Sequence, residues 1–221
     1  MERSEFEEEV TLVKGSPAAA VELIPTDKIA FDIDGVVADI MTTFINLGRD
    51  RYGLEHLRYE DITDFYLHRC LQMDQAIIME ILEMLIDRPH ELEIDPLPHA
   101  VPVLTKLAQE APLLFITARD RIEPIKAWLS QTLSQVPPQA MRIIATGNPD
   151  TKLEYLHDHG IEYFVEDRLD TCWQLSQNGV TPIVYDQPWN RQKHPFQIVY
   201  DWQDIARLLF QDLSLEISPK P

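Results

Sequence analysis

The chain has 221 residues, 45% of them hydrophobic, enough for one domain with a buried core or one domain carrying a sizeable insertion. A formal charge of −18 argues against nucleic-acid polymers and anionic membrane surfaces as partners, and no apolar run approaches the length of a membrane span. Two cysteines, Cys70 and Cys172, form neither a CxxC pair nor a disulfide framework, which fits a reducing cytoplasmic setting.

Residues 1–26 read as an acidic N-terminal arm. Glu7-Glu8-Glu9 and Gly15-Ser16-Pro17 give no sustained period, and the segment is neither a signal nor a transit peptide. A short apolar strand over 28–33 follows and runs into Asp32-Ile33-Asp34-Gly35. Two carboxylates so close at the end of a buried strand repel each other unless a cation or a shared proton lies between them. Mg²⁺ held by carboxylates, a backbone carbonyl and a substrate phosphate meets that need. The stretch therefore reads as an aspartate nucleophile beside an aspartate acid/base. A calcium loop starting at Asp32 would need Gly at its sixth position and Glu at its twelfth, where Val37 and Thr43 stand. A hairpin turn at Asp34-Gly35 would need a return strand, and 36–46 does not alternate.

Residues 41–95 read as a helical insertion emerging beside the aspartates, placed to act as a lid. Ile77, Ile78, Ile81, Leu82, Leu85 and Ile86 recur at helical spacing, and Arg88-Pro89 stops that helix. A regular alternation then begins. Helices are expected over 98–109, 122–133, 150–159, 169–178 and 201–211, with strands over 113–117, 142–146, 163–166 and 182–185. Pro124 suits a first helical turn, and Gly160 and Gly179 suit helix ends. The strands are apolar on both faces, as parallel strands between helix layers should be. The expected fold class is α/β, a doubly wound parallel sheet formed by 27–40 and 96–215, with 41–95 as a small helical cap inserted after the first strand. The last residues, Ser218-Pro219-Lys220-Pro221, read as a frayed tail.

Ligands of such sheets bind at the carboxyl ends of the strands. Those ends carry Asp32 and Asp34, then Thr117-Ala118-Arg119, then Lys152 at a helix start, then Glu166-Asp167 with Asp170 close behind. In this reading Asp32 attacks phosphorus, while Asp34 protonates the leaving oxygen and later activates water. Thr117 and the backbone N–H groups near it, Ala118 included, hold phosphate oxygens, and Lys152 neutralises charge. Mg²⁺ is held by Asp32, Asp167 and the carbonyl of Asp34, with Glu166 and Asp170 as outer groups orienting its waters. Arg119, beside Thr117, is a candidate grip on phosphate or a substrate carboxylate.

This ordered set, spanning about 28–200, resembles the haloacid dehalogenase-like hydrolases. That resemblance implies an α/β core with a first-type helical cap and a Mg²⁺-dependent phosphatase. An acid two residues after the nucleophile implies phosphoryl rather than dehalogenase chemistry. Asp32-Ile33-Asp34-Gly35-Val36-Val37-Ala38-Asp39 and Val184-Tyr185-Asp186-Gln187-Pro188-Trp189-Asn190-Arg191 are similar to the opening and closing segments of the 5′(3′)-deoxyribonucleotidases. This implies a nucleoside monophosphate substrate whose base stacks on cap aromatics. The chain departs from that branch at Ile40, where an aromatic is common, and at Ala118-Arg119, where mammalian members carry a small residue and Pro.

A small sugar or metabolite phosphate is the alternative substrate, and a non-catalytic nucleotide-binding regulator is the alternative of another class. Phe44, Tyr52, Phe65 and Tyr66 are candidates both for base stacking and for cap core. Arg168 and Arg191 also follow strand ends. His157 and His159 lie on different helix faces and share no metal. The oligomeric state stays open, a homodimer included.

Overall fold

The computed structural model describes residues 23–212; most of the acidic arm and the C-terminal tail lie outside the described residues. Six parallel strands form one sheet: β1 (Ile29–Phe31), β2 (Leu113–Thr117), β3 (Met141–Ala145), β4 (Tyr163–Glu166), β5 (Thr181–Tyr185) and β6 (Gln197–Val199). Their order is β3-β2-β1-β4-β5-β6. The chain runs from β1 outward to β3 on one side, then crosses back to β4 and outward on the other. The carboxyl end of β1 therefore lies at the point where the winding reverses, the place such sheets offer to ligands.

Between β1 and β2 lie α1 (Ile40–Tyr52), α2 (Leu67–Cys70), α3 (Gln75–Asp87) and α4 (Ala100–Leu107). The later crossovers carry α5 (Ile122–Thr132), α6 (Lys152–Asp158) and α7 (Leu169–Gln177), and α8 (Trp202–Leu209) follows β6. No helix among the described residues is long and apolar enough to cross a membrane.

Side chains alternate across the sheet. Phe31, Leu113, Phe115 and Val165 face the large core, which also takes in the helices after β1. Ala30, Leu114, Ile116 and Phe164 face a smaller core with Leu156 and Leu175. Helices thus cover both faces, which is why the strands read as continuous apolar runs. In α8 the residues Trp202, Ile205, Ala206 and Leu209 are buried at the spacing of one helix face. Each large apolar side chain buried this way stabilises the fold by about 1.5–3 kcal/mol. The Trp202 ring lies 5.2 Å from Phe31, and its indole N–H donates to the carbonyl of Val36 at 2.7 Å.

Helix ends follow local chemistry. Asp39 accepts from the N–H of Thr42 to start α1, Asp74 from Ala76 to start α3, and Asp201 from Asp204 to start α8. Gly160 and Gly179, both at positive φ, follow the ends of α6 and α7.

Four expectations shift. The first strand ends at Phe31, because the chain turns at Asp32-Ile33 to close the loop that follows. The helix expected over 150–159 is split into a 3₁₀ turn, Pro149–Thr151, and α6. The 41–95 stretch is helical only in part: Gly53 ends α1 with a left-handed residue, and irregular chain with a 3₁₀ turn, Tyr59–Asp61, links the three helices that precede Pro89. The sequence pattern shows no sixth strand, since β6 has three residues and two are exposed.

Candidate active site

The loop after β1 is held from within. The carbonyl of Ile33 accepts from the N–H groups of Val37 and Ala38, both at 2.8 Å, and Gly35 turns at a φ of +77°. Asp32 stays in line with β4, its N–H bonded to the carbonyl of Val165 at 2.9 Å. Its Oδ1 accepts from the N–H of Ile33 at 2.8 Å. Its Oδ2 meets the ammonium of Lys152 at 2.9 Å.

Lys152 opens α6 and is only 2% exposed. Its Nζ bridges Asp32 and Glu166, 2.8 Å from Glu166 Oε2. The other oxygen of Glu166 accepts from the N–H groups of Asp167 and Arg168 at 3.1 and 3.0 Å. Glu166 therefore fixes the lysine and the turn after β4 together. Asp167 Oδ2 accepts from the indole N–H of Trp189 at 3.1 Å, and its carbonyl accepts from Asn190 Nδ2 at 2.8 Å. Gln187, in the same turn, donates to the carbonyl of Gly35 at 2.7 Å and accepts from Tyr59 at 2.6 Å.

The acids press on one another. Carboxylate oxygens of Asp32, Glu166 and Asp167 lie within 4.8 Å of each other, all three residues buried. Burial, then the charge of Glu166, pushes Asp32 up to about 8 although Lys152 pulls it down. Burial and the neighbouring charges of Glu166 and Asp32 hold Asp167 well above the carboxylate range. For Glu166 burial works upward but is outweighed by Lys152 and the backbone donors, so it stays below its usual value. Lys152 itself is raised, burial being outweighed by Asp32 and Glu166. One ammonium serves two carboxylates: Glu166, which also has backbone donors, keeps its charge, and Asp32 is left short of compensation. An all-oxygen donor set short of positive charge fits a hard divalent cation such as Mg²⁺, which would lower Asp32 and Asp167 together.

Thr117 is buried at the exit of β2, its Oγ1 accepting from the N–H of Arg119 at 3.3 Å. Arg119, 6% exposed, turns to Asp34, with Nε to Oδ2 at 2.9 Å and Nη2 to Oδ1 at 2.7 Å. Its Nη1 donates to the carbonyls of Leu85 and Ile86 at 3.2 and 2.7 Å. Burial works against the guanidinium's charge, but Asp34 more than offsets it and the group is raised.

These residues form the floor of a cavity of about 450 Å³. Its walls come mainly from the segment between β1 and β2, with Ile40, Ile62, Phe65, Tyr66, Met79 and Leu82 among them. Phe65 is 46% exposed, with the guanidinium of Arg168 4.9 Å from its ring centre.

The structure thus gathers Asp32, Asp34, Thr117, Ala118, Arg119, Lys152, Glu166 and Asp167 around one cavity. Asp170 is not among them: it lies in the first turn of α7, its side chain 73% exposed, near Arg168 at 3.5 Å. Phe44 is core, Tyr52 packs against that core, and Phe65 and Tyr66 line the cavity. Arg191 pairs with Asp186 and with Glu60, and Cys172 is buried. Sequence spacing gives no role to Gln187, Trp189 or Asn190. The signal for them is the likeness of 184–191 to a nucleotidase closing segment, a Pro-aromatic-Asn turn directly after a strand end.

Residues 26–214 match the family model described as 5′ nucleotidase, deoxy (Pyrimidine), cytosolic type C protein. A nucleotidase of Clostridium acetobutylicum is 26% identical over 179 residues, covering 80% of this chain and 90% of that protein. Among solved structures, a HAD-superfamily hydrolase from Ehrlichia chaffeensis superimposes with a TM-score of 0.51 at 16% identity, covering 84% of this chain and 98% of the other. A haloacid dehalogenase-like hydrolase from Streptococcus pneumoniae gives 0.52 at 14% identity, covering 81% and 96%. At such identities the two structures speak for the fold alone.

Proposed function

The chain belongs to the 5′ nucleotidase, deoxy (Pyrimidine), cytosolic type C family and is a phosphatase-type hydrolase, and from that premise we propose that it removes the phosphate of nucleoside or deoxynucleoside monophosphates through an aspartyl-phosphate at Asp32. The observation that carries this is the Lys152 ammonium seated between Asp32 and Glu166, at 2.9 and 2.8 Å, on the floor of an apolar cavity.

In the first step an oxygen of Asp32 attacks phosphorus, and the bond from phosphorus to the ester oxygen breaks. The electron pair stays on that oxygen, which takes a proton from Asp34 and leaves as the nucleoside. In the second step water attacks phosphorus and gives its proton to Asp34. The bond between phosphorus and Asp32 breaks, releasing inorganic phosphate and restoring both side chains. Lys152 offsets the charge that gathers between nucleophile and phosphate, and Thr117 with the Ala118 N–H holds phosphate oxygens. Asp32, Asp167 and the carbonyl of Asp34 would hold Mg²⁺, which supplies further neutralisation of phosphate charge.

The helical cap, 41–95, gives the cavity its apolar walls. A nucleobase finds aromatic faces there in Phe65 and Tyr66. A sugar phosphate has no planar face to stack there and would set hydroxyls against apolar side chains, which is costly where they go unpaired. Phosphate release from nucleoside monophosphates, sugar phosphates and an aryl phosphate, with Mg²⁺ or with EDTA, tests the reading. Metal-dependent turnover concentrated on nucleotides is expected, and Asp32→Asn should lack it. Turnover favouring sugar phosphates would remove the nucleotide assignment, and wild-type rates in Asp32→Asn would remove the nucleophile.

A further inference from the structure

Arg119 is enclosed by two partners that belong to different parts of the molecule. One is Asp34, on the loop after β1, which it grips through both carboxylate oxygens at 2.7 and 2.9 Å. The other is the carboxyl end of α3, where it donates to the carbonyls of Leu85 and Ile86 at 3.2 and 2.7 Å. Those are two of the carbonyls that a helix end leaves without intrahelical partners. A guanidinium has five N–H groups in a rigid fork, and these bonds occupy four of them. Its side chain is 3% exposed. A second core-to-helix tie stands beside it, the pair of Arg121 with Asp87 at the last residue of α3.

Asp34, Arg119, Leu85 and Ile86 all border the cavity. A planar fork cannot change its angle at one partner without changing it at the other. The position of α3 and the direction of the Asp34 carboxylate are therefore linked through one rigid group.

We propose that Arg119 is a positioning residue rather than a phosphate ligand: it aims the Asp34 carboxylate and makes that aim depend on where the end of α3 sits. The inference rests on the acid/base role given to Asp34 above. Filling of the cavity moves or braces α3, and the guanidinium carries the change to the acid.

The test compares Arg119→Ala, Arg119→Lys and Asp34→Asn, with nucleoside monophosphate and p-nitrophenyl phosphate as substrates at saturating Mg²⁺. An alkoxide leaving group needs a well-aimed acid, whereas nitrophenolate departs without one. Both substrates need the base in the second step. Arg119→Ala should therefore lose about 100-fold in kcat on the nucleotide, the scale of general acid catalysis. With the aryl phosphate it should release a rapid burst of about one equivalent of nitrophenolate before slow turnover, because the aspartyl-phosphate accumulates. Arg119→Lys keeps the charge but cannot span both partners, and should show the same pattern to a smaller degree. It also serves if the alanine variant does not fold. Hydrogen exchange at 84–88 should quicken in both Arg119 variants and also in Asp34→Asn, since loosening one end of the fork loosens the other.

A raised KM at unchanged kcat would make Arg119 a substrate ligand and overturn the proposal. Equal losses on both substrates without a burst would also overturn it, as would unaltered exchange at 84–88 in Asp34→Asn. If Asp34→Asn itself shows no leaving-group dependence, the acid/base assignment fails. If Asp34→Asn shows it and the Arg119 variants do not, the positioning role alone fails.

Discussion

Gly35→Ala separates the chemistry of the site from the stability of the fold. Gly35 has a φ of +77°, and a Cβ there would stand 2.2 Å from Asp167 Oδ2 and 2.9 Å from Asp167 Cγ. Ordinary contact begins near 3.4 Å, so the carboxylate must retreat by about 1.2 Å. Trp189 is 3.3 Å from the same Cβ and blocks part of that retreat. A displacement of this size at a reacting site costs about 100-fold in rate, and disturbed metal ligands lose roughly 10–100-fold in affinity. The backbone penalty for a non-glycine residue at positive φ is separate, roughly 1–2 kcal/mol, or a fall in Tm of about 2–8 °C for a chain of this size. Gly53→Ala supplies the control. Its φ is +67°, so the backbone penalty is the same, but nothing lies within 4 Å of its Cβ. Calorimetric Mg²⁺ titration, phosphate release and thermal unfolding in EDTA should show a Tm loss in both variants, larger in Gly35→Ala by the cost of the clash. Only Gly35→Ala should lose metal affinity and turnover. Equal Mg²⁺ affinities in the two would refute the reasoning and remove Asp167 from the metal site.

Trp189→Phe keeps an aromatic side chain but removes the five-membered half of the indole, and with it the N–H that holds Asp167 Oδ2 at 3.1 Å. Mg²⁺ affinity should fall about 10-fold, and unchanged affinity in the titration would leave the indole a packing role only. In the metal-free protein Asp32, pushed by burial from 3.8 to about 8, and Asp167, raised in the same direction, keep protons that the unfolded chain releases. Their contribution to stability is complete below the unfolded value of 3.8 and is lost as pH rises toward 8. The lowered Glu166 acts oppositely, favouring the fold above its unfolded value of 4.5 and losing that contribution as pH falls. Thermal unfolding in EDTA should thus show Tm falling from about pH 5 to 8, with the fall reduced by Mg²⁺. A metal-free Tm that climbs over that range would contradict the assignment of the raised acids.

Much of the site was legible because a doubly wound sheet brings every strand's carboxyl end to one edge. Once 113–117 and 163–166 read as strands, Thr117 and Glu166-Asp167 had to gather near Asp32, whatever the details of the helices. Lys152 followed for the same reason, being at the first residue of the helix after β3. The partners of Arg119 were not legible, because they depend on where α3 ends in space. No periodicity reports that the end of α3 meets a guanidinium from the loop after β2. Trp189 was hidden in the same way: its bond to Asp167 links residues 22 apart that share no element. Asp170 misled because three residues of separation look close in sequence, whereas α7 begins at once and its first turn points that side chain outward. The sixth strand escaped because three residues, two of them exposed, carry too little apolar pattern to stand out.

The bond from Trp202 to the carbonyl of Val36 spans 166 residues. It ties the loop after β1 to α8, the last helix of the described chain. During synthesis, Asp32 and Asp34 leave the ribosome long before the indole that braces their loop from behind. A nascent chain stopped before α8 would hold most of its acids and strands yet present the β1 loop without its rear support. Competence at this site is therefore a property that arrives with α8 rather than accumulating along the way.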